Sequence, residues 1–130
     1  MAAGADEQLR ALRLPLLGLH KAVLATERRQ VEKVHGDLSG AEFLQIVSDP
    51  VRYGWLKPFS ELILAIDDTL EVPGDGEQEI ATPEELLDRT RELLVPPKGQ
   101  TPFGRRYLSL MQREPELVMA HSAVVKQLAR

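Results

Sequence analysis

Cysteine is absent from this chain of 130 residues. Disulfide bonds and thiolate-bound metals are therefore excluded, and nothing in the composition indicates an oxidising compartment. No segment approaches the ~20 apolar residues of a membrane-spanning helix, and residues 1–10 lack the basic and then apolar pattern of a signal peptide. From these absences we expect a cytoplasmic protein that does not enter a membrane.

Alternation of apolar and polar residues at period two is also missing, so the chain offers no material for a sheet. Apolar residues recur instead every three or four positions, the spacing of one helix face. The plainest such stripe consists of Leu9, Leu12, Leu16, Leu19, Val23, Val31 and Val34. The sequence predicts an all-α fold with one domain over residues 1–130, an antiparallel bundle of about six helices, three or four long and the rest short.

Helix-start signals divide the chain into these helices. A short polar side chain that can cap the first turn, or a proline that fits its first position, opens most of the later ones. The signals are Ser39 with Glu42, Asp49 with Pro50, Thr82 with Pro83, Thr101 with Pro102, and Pro115. In the first helix, Pro15 either kinks the helix or begins its main segment. Loops rich in proline and glycine are expected over residues 72–81 and 95–100.

Charge is unevenly distributed along the chain, whose net charge is −4. Residues 61–92, the acidic segment, carry eleven acids against two arginines, and residues 93–130, the basic segment, carry six bases against two acids. We expect the two segments to complement each other, within the fold or across a dimer. No nucleic-acid partner is expected, because no basic stripe covers the whole domain.

Metal chemistry has little support in the sequence. A di-iron centre in a helical bundle needs two Glu-x-x-His pairs, and the chain has one, Glu32 with His35. We therefore predict no metal site and no cofactor. His20 and His121 are expected in the core or at its rim, hydrogen-bonded to carbonyls or carboxylates.

Two carboxylates beside apolar stripes, Glu27 and Asp67, are candidates for acid–base chemistry, because desolvation can raise the pKa of a carboxyl group. No nucleophile or orienting partner accompanies them in the sequence. A salt bridge to arginine is the commoner state of such side chains, and no catalytic residue is predicted.

A basic cluster at the start of the fifth helix, Lys98, Arg105 and Arg106, is the candidate anion site. Arginines in a first helical turn oppose the helix dipole, so a compensating negative group is expected. That group is either a bound phosphate or carboxylate, or a carboxylate of the acidic segment.

Aromatic residues are few, six in all, and four of them fall between Phe43 and Phe59. Tyr53 and Trp55 in this bend, with Tyr107, are candidates for a pocket or a partner surface. The alternative is that aromatics at an irregular joint plug the end of the core.

The segments Trp55-Leu56-Lys57-Pro58-Phe59-Ser60-Glu61-Leu62-Ile63 and Phe103-Gly104-Arg105-Arg106-Tyr107-Leu108 resemble those of small, uncharacterised all-helical bacterial proteins. The resemblance covers most of the chain. It implies a cytoplasmic bacterial domain, and it assigns no functional residue because such a family supplies none.

Two hypotheses of function follow. The first is a non-enzymatic helical domain that associates with itself or with another protein. The alternative is a small-ligand protein or an enzyme, with an anionic ligand held by Lys98, Arg105 and Arg106 beside Tyr53 and Trp55. A concave pocket joining those segments would favour the ligand, whereas arginines already paired with internal carboxylates would favour association.

Overall fold

The structure is a computed structural model that describes residues 4–71, 81–95 and 97–129. The predicted loop over residues 72–81 lies outside this part of the chain except for Ala81, and so does Pro96 of the second loop. The described residues form helices and no strand, which confirms the all-α fold. No helix among them has both the length and the hydrophobicity of a membrane span.

Six of the described helices have eight residues or more, and between the second and third of these lie a four-residue helix and a 3-10 turn. In chain order they are α1 (Gly4–His35), α2 (Gly40–Val47), α3 (Pro50–Tyr53), the 3-10 turn (Gly54–Leu56), α4 (Lys57–Glu71), α5 (Pro83–Leu94), α6 (Pro102–Arg113) and α7 (Pro115–Leu128). Pro15 lies inside a continuous α1.

The helix starts are capped where the sequence predicts caps. Ser39 and Glu42 form a capping box: the Ser39 Oγ accepts from the Glu42 N–H at 3.1 Å, and the Glu42 carboxylate accepts from the Ser39 N–H at 2.9 Å. Side-chain oxygens of Asp49, Thr82 and Thr101 accept backbone N–H groups in the same way. Each cap satisfies a donor that a helix terminus leaves without an intrahelical partner.

The long helix α1 is the central element of the bundle. Residues near the start of α1 contact residues near the ends of α4 and α7, and residues further along α1 contact residues nearer the starts of those helices. Both α4 and α7 therefore run antiparallel to α1. The contacts are Arg13 with Asp67 and His20 with Ser60 toward α4, and Gln8 with Gln127 and Arg29 with Glu114 toward α7.

The apolar stripe of α1 lies in one contiguous core that α4, α5, α6 and α7 complete. One residue of the predicted stripe is misplaced, because Val34 is 79% exposed. Glu114, which directly precedes α7, pairs with Arg29, so α7 does not extend alongside the last turn of α1. That turn projects beyond the core, and helical periodicity alone cannot show where a neighbouring helix ends.

Among the described residues, both the acidic and the basic segment form ion pairs with α1. Arg13 of α1 lies 2.6 Å from Asp67 of the acidic segment, and Glu27 of α1 lies 2.6 Å from Arg106 of the basic segment. Among the described residues no ion pair joins the two segments directly. Within the described residues α1 therefore provides opposite charges for both segments. Asp75, Glu77 and Glu79 of the acidic segment lie outside this part of the chain, and pairing across a dimer stays a prediction.

Replacing Ile66 by Ala is expected to lower the free energy of unfolding by about 2–5 kcal/mol, because it leaves a cavity in the core under α4. Leu64→Ala, two residues away on the exposed side of α4, is the matched control and should change it by less than about 1 kcal/mol. Denaturant unfolding of both variants gives the comparison. Equal losses would contradict the face assigned to α4.

Candidate functional site

The three residues of the predicted anion site lie in three different surroundings. The side chain of Lys98 is exposed and lines a shallow pocket with Arg89 and Glu92. Arg105 is exposed and donates to the Gln100 carbonyl at 3.1 Å. Arg106 turns toward α1 instead. The three cations therefore do not converge on one point in the structure, and anion binding by all three stays a prediction.

The backbone around Gly104 is closed by its own chain. The Lys98 carbonyl lies so near that a Cβ added to Gly104 would be 1.7 Å from its oxygen. Thr101 accepts the Gly104 N–H at 2.9 Å and donates its hydroxyl to the same Lys98 carbonyl at 3.1 Å. The glycine is thus needed for close approach of two backbone segments. Its N–H already donates to the Thr101 hydroxyl and is not free for an anion.

Of the aromatic candidates, Tyr53 and Tyr107 are buried and Trp55 is partly buried against the core. Phe103 stacks on Tyr107 with 5.1 Å between ring centroids and lies 6.2 Å from Trp55. The Tyr107 hydroxyl is 2.6 Å from Nδ1 of His121. Tyr107 and Trp55 are therefore part of the core, as in the alternative that the sequence left open, and Tyr107 offers no surface to a partner.

His121 and His20 both pair with hydroxyl groups, not with the carbonyls or carboxylates expected from the sequence. Nε2 of His20 lies 3.0 Å from Oγ of Ser60, and its ring meets Phe59 edge-on at 5.1 Å. Burial lowers the pKa of both histidines, which favours neutral imidazoles. Among the described residues no three potential ligands cluster as a metal site would require.

Glu27 is the one charged residue that is buried among the described residues, with 3% of its surface exposed. Arg106 donates to its Oε1 atom twice, from Nε at 3.0 Å and from Nη2 at 2.6 Å. Asp67 is held similarly by Arg13. Both candidate carboxylates are therefore paired with arginines, the commoner of the two states considered, although the partner of Arg106 comes from α1 and not from the acidic segment.

A cavity of about 150 Å³, the Glu27 cavity, opens beside this pair between α1, α3 and α6. Its polar lining residues are Glu27, Gln30 and His35 from α1, Arg52 and Tyr53 from α3, and Arg106 from α6. Two of the predicted site residues, Tyr53 and Arg106, thus meet here. The sequence analysis did not identify Arg52 as a site residue. The one indication in the sequence was that Arg52 directly precedes Tyr53, which was a candidate.

The charged residues that line the Glu27 cavity affect the pKa of Tyr53. Burial, and then the negative charge of Glu27, raise the pKa of the Tyr53 hydroxyl, while Arg52 and Arg106 act in the opposite direction. The guanidinium of Arg52 also lies 5.9 Å from the centroid of the Tyr53 ring. The hydroxyl is therefore influenced by the charges of one carboxylate and two guanidinium groups.

A larger cavity of about 440 Å³, the α2 groove, lies between α1, α2, α3 and α4 and is also lined by Tyr53. Its walls are mainly apolar and include Leu24, Leu44, Val47, Pro50, Tyr53 and Leu56, and its polar lining residues are His20, Ser48, Asp49, Lys57 and Ser60. The volume is within the range of ligand and side-chain pockets. Sequence reasoning missed this groove because its walls come from four separate segments.

Comparisons with known proteins give no relative: the chain matches no protein-family model, no curated protein and no solved structure. The resemblance to small all-helical bacterial proteins stays a prediction. Function is therefore inferred from the two cavities and the exposed surface.

Gly104→Ala is expected to lower the free energy of unfolding by about 1–3 kcal/mol or more, because the new methyl group collides with the Lys98 carbonyl. Gly18→Ala is the matched control, since no atom lies within 4 Å of its added Cβ, and alanine inside α1 should stabilise the protein by up to ~1 kcal/mol. Opposite signs in denaturant unfolding would support this account. A stable Gly104→Ala protein would contradict it.

Stability should fall as the pH drops from about 7.5 to 5.5. The folded-state pKa values of His20 and His121 are lowered, so the unfolded chain binds protons first as the pH falls through the usual histidine range. The loss ends once the pH is below the folded values. A His20→Gln, His121→Gln double variant, with neutral side chains at both positions, should show a flatter pH dependence of the unfolding midpoint. An unchanged slope would mean that other groups cause the effect.

Proposed function

We propose that the protein acts by self-association, with two copies meeting at the α2 groove. The observation that carries this proposal is the uncovered apolar character of α2. Phe43 is its buried residue, while Leu44 beside it is 64% exposed at the edge of the groove. An apolar ridge next to an apolar groove is a common feature of association surfaces.

The ridge and the groove belong to one continuous surface. Val51 of α3 is also exposed, and helical spacing places Leu17 of α1 and the exposed Leu64 of α4 one turn beyond the His20–Ser60 pair. Apolar side chains therefore extend from α2 along the seam between α1 and α4. Burying this surface would supply the apolar contact that drives most protein association.

A second copy is the occupant that this surface fits. In a two-fold dimer the same patch faces itself, so each chain must supply both the projecting part and the depression. Leu44 is the projecting part and the α2 groove is the depression. Charges at the rim support the same arrangement, because Asp49 and Lys57 both line the α2 groove and would have opposite partners across the two-fold axis.

The wild-type protein should sediment as a dimer at micromolar concentration, and Leu44→Asp should make it monomeric, because a carboxylate placed in an apolar interface must be desolvated. Met119→Asp is the matched control. Met119 is 73% exposed on the outer side of α7, away from the groove, so the dimer should survive that change. Added salt should weaken the dimer to the extent that the rim charges contribute.

Sedimentation of the wild type as a monomer throughout this concentration range would refute self-association. Dissociation by Met119→Asp but not by Leu44→Asp would place the interface on α7 and refute the groove. The cytoplasm stays the proposed location, on the composition alone.

A further inference from the structure

The Glu27 cavity contains polar atoms that the fold itself does not use. Both donors from Arg106 go to Oε1 of Glu27, and no group of the described residues donates to Oε2. Within the same part of the chain the Tyr53 hydroxyl has no hydrogen-bond partner, although the residue is only 7% exposed. The guanidinium of Arg52 contacts the Tyr53 ring and forms no hydrogen bond with any described residue.

Two of these atoms keep some accessible surface. Among the described residues, no fully buried side-chain nitrogen or oxygen lacks a partner. The Tyr53 hydroxyl and the Oε2 of Glu27 lack partners, so each retains some accessible surface. Both residues line the Glu27 cavity, and Tyr53 also lines the α2 groove, so the Glu27 cavity is the place where one ligand could reach both atoms.

The set of free groups defines the chemistry of a ligand. Arg52 and Arg106 carry two positive charges and supply N–H donors in the planar arrangement that suits oxyanions. The Tyr53 hydroxyl and the Gln30 amide can add further donors. The Oε2 of Glu27 is different, since it is an acceptor with negative charge. A fully deprotonated anion would be repelled there, whereas an oxyanion that keeps a proton could donate it in a short, charge-assisted hydrogen bond.

We propose that the Glu27 cavity binds a small oxyanion that carries an acidic proton, of the hydrogen phosphate class. Arg52 and Arg106 bind its oxygens, and Glu27 accepts its proton. The volume of about 150 Å³ is below the usual range for organic ligands, and it suits a single tetrahedral group. The inference does not depend on self-association, because the α2 groove is a separate cavity whose lining residues share only Tyr53 with this one.

The site differs from the one predicted from the sequence. Arg106 is common to both, but Arg105 and Lys98 do not line this cavity, and Arg52 and Glu27 replace them. Arg105→Ala is therefore a matched control for Arg52→Ala. Both remove an exposed guanidinium, and neither guanidinium forms an ion pair in the described structure.

The test is a titration of the full chain near neutral pH with inorganic phosphate and, separately, with sulfate, at matched ionic strength, followed by calorimetry or by amide chemical shifts. Phosphate should bind saturably and at least about tenfold more tightly than sulfate, because only phosphate has a proton to donate to Glu27. Phosphoserine is a further comparison, because near neutral pH its phosphate group is mostly the dianion without an acidic proton. It should therefore bind more weakly than inorganic phosphate.

Three variants locate the site. Arg52→Ala should weaken phosphate binding about tenfold, and Arg105→Ala should leave it unchanged within about twofold. Glu27→Gln replaces an acceptor oxygen with an N–H donor. The ratio of the affinity for phosphate to the affinity for sulfate should therefore fall to about one or below. Circular dichroism establishes that each variant is folded.

Failure of phosphate to saturate, or equal binding of sulfate and phosphate by the wild type, would overturn the proposal. A loss of affinity in Arg105→Ala as large as that in Arg52→Ala would also overturn it, since the anion would then bind near the start of α6. If Glu27→Gln does not fold, the wild-type comparison of the two anions and the Arg52→Ala variant still decide the matter.

Discussion

A carboxylate buried on the central helix must be neutralised, and much of the structure depends on how this happens. Glu27 is embedded in α1, and Arg106 of α6 reaches it. Leaving such a charge without its partner would cost several kcal/mol. The pair therefore fixes where α6 lies against α1, and with it the faces of Phe103 and Tyr107 that complete the core. The same pair forms one wall of the Glu27 cavity.

The helices could be predicted because their determinants are local. Ser39 and Glu42 are three residues apart, and Thr101 and Gly104 have the same separation. Each cap can therefore be predicted from the sequence without knowledge of the tertiary structure. The exposure of Val34 could not be predicted in this way. It depends on where α7 begins alongside α1, which is a property of two segments far apart in the chain.

The candidate site was less predictable for a related reason. Arg105 and Arg106 are neighbours in the sequence, but consecutive residues on a helix point about 100° apart, so one faces solvent and the other faces α1. Arg52 joins Arg106 only through the packing of α3 against α1 and α6. The burial of Tyr107 could be predicted, however, because Phe103, Tyr107 and Leu110 recur at the spacing of a buried helix face.

The antiparallel contact between α1 and α7 also has a consequence for biosynthesis. The Gln8 side chain donates to the Gln127 carbonyl at 3.1 Å, across 119 positions of the chain. The ribosome therefore releases α1 long before α7, its most extensive neighbour, has been made. During that interval the leucine-rich face of α1 lacks part of its native cover and is available to chaperones or to premature aggregation. The native core can close only after α7 has emerged from the ribosome, because Leu117, Val124 and Leu128 of α7 belong to it.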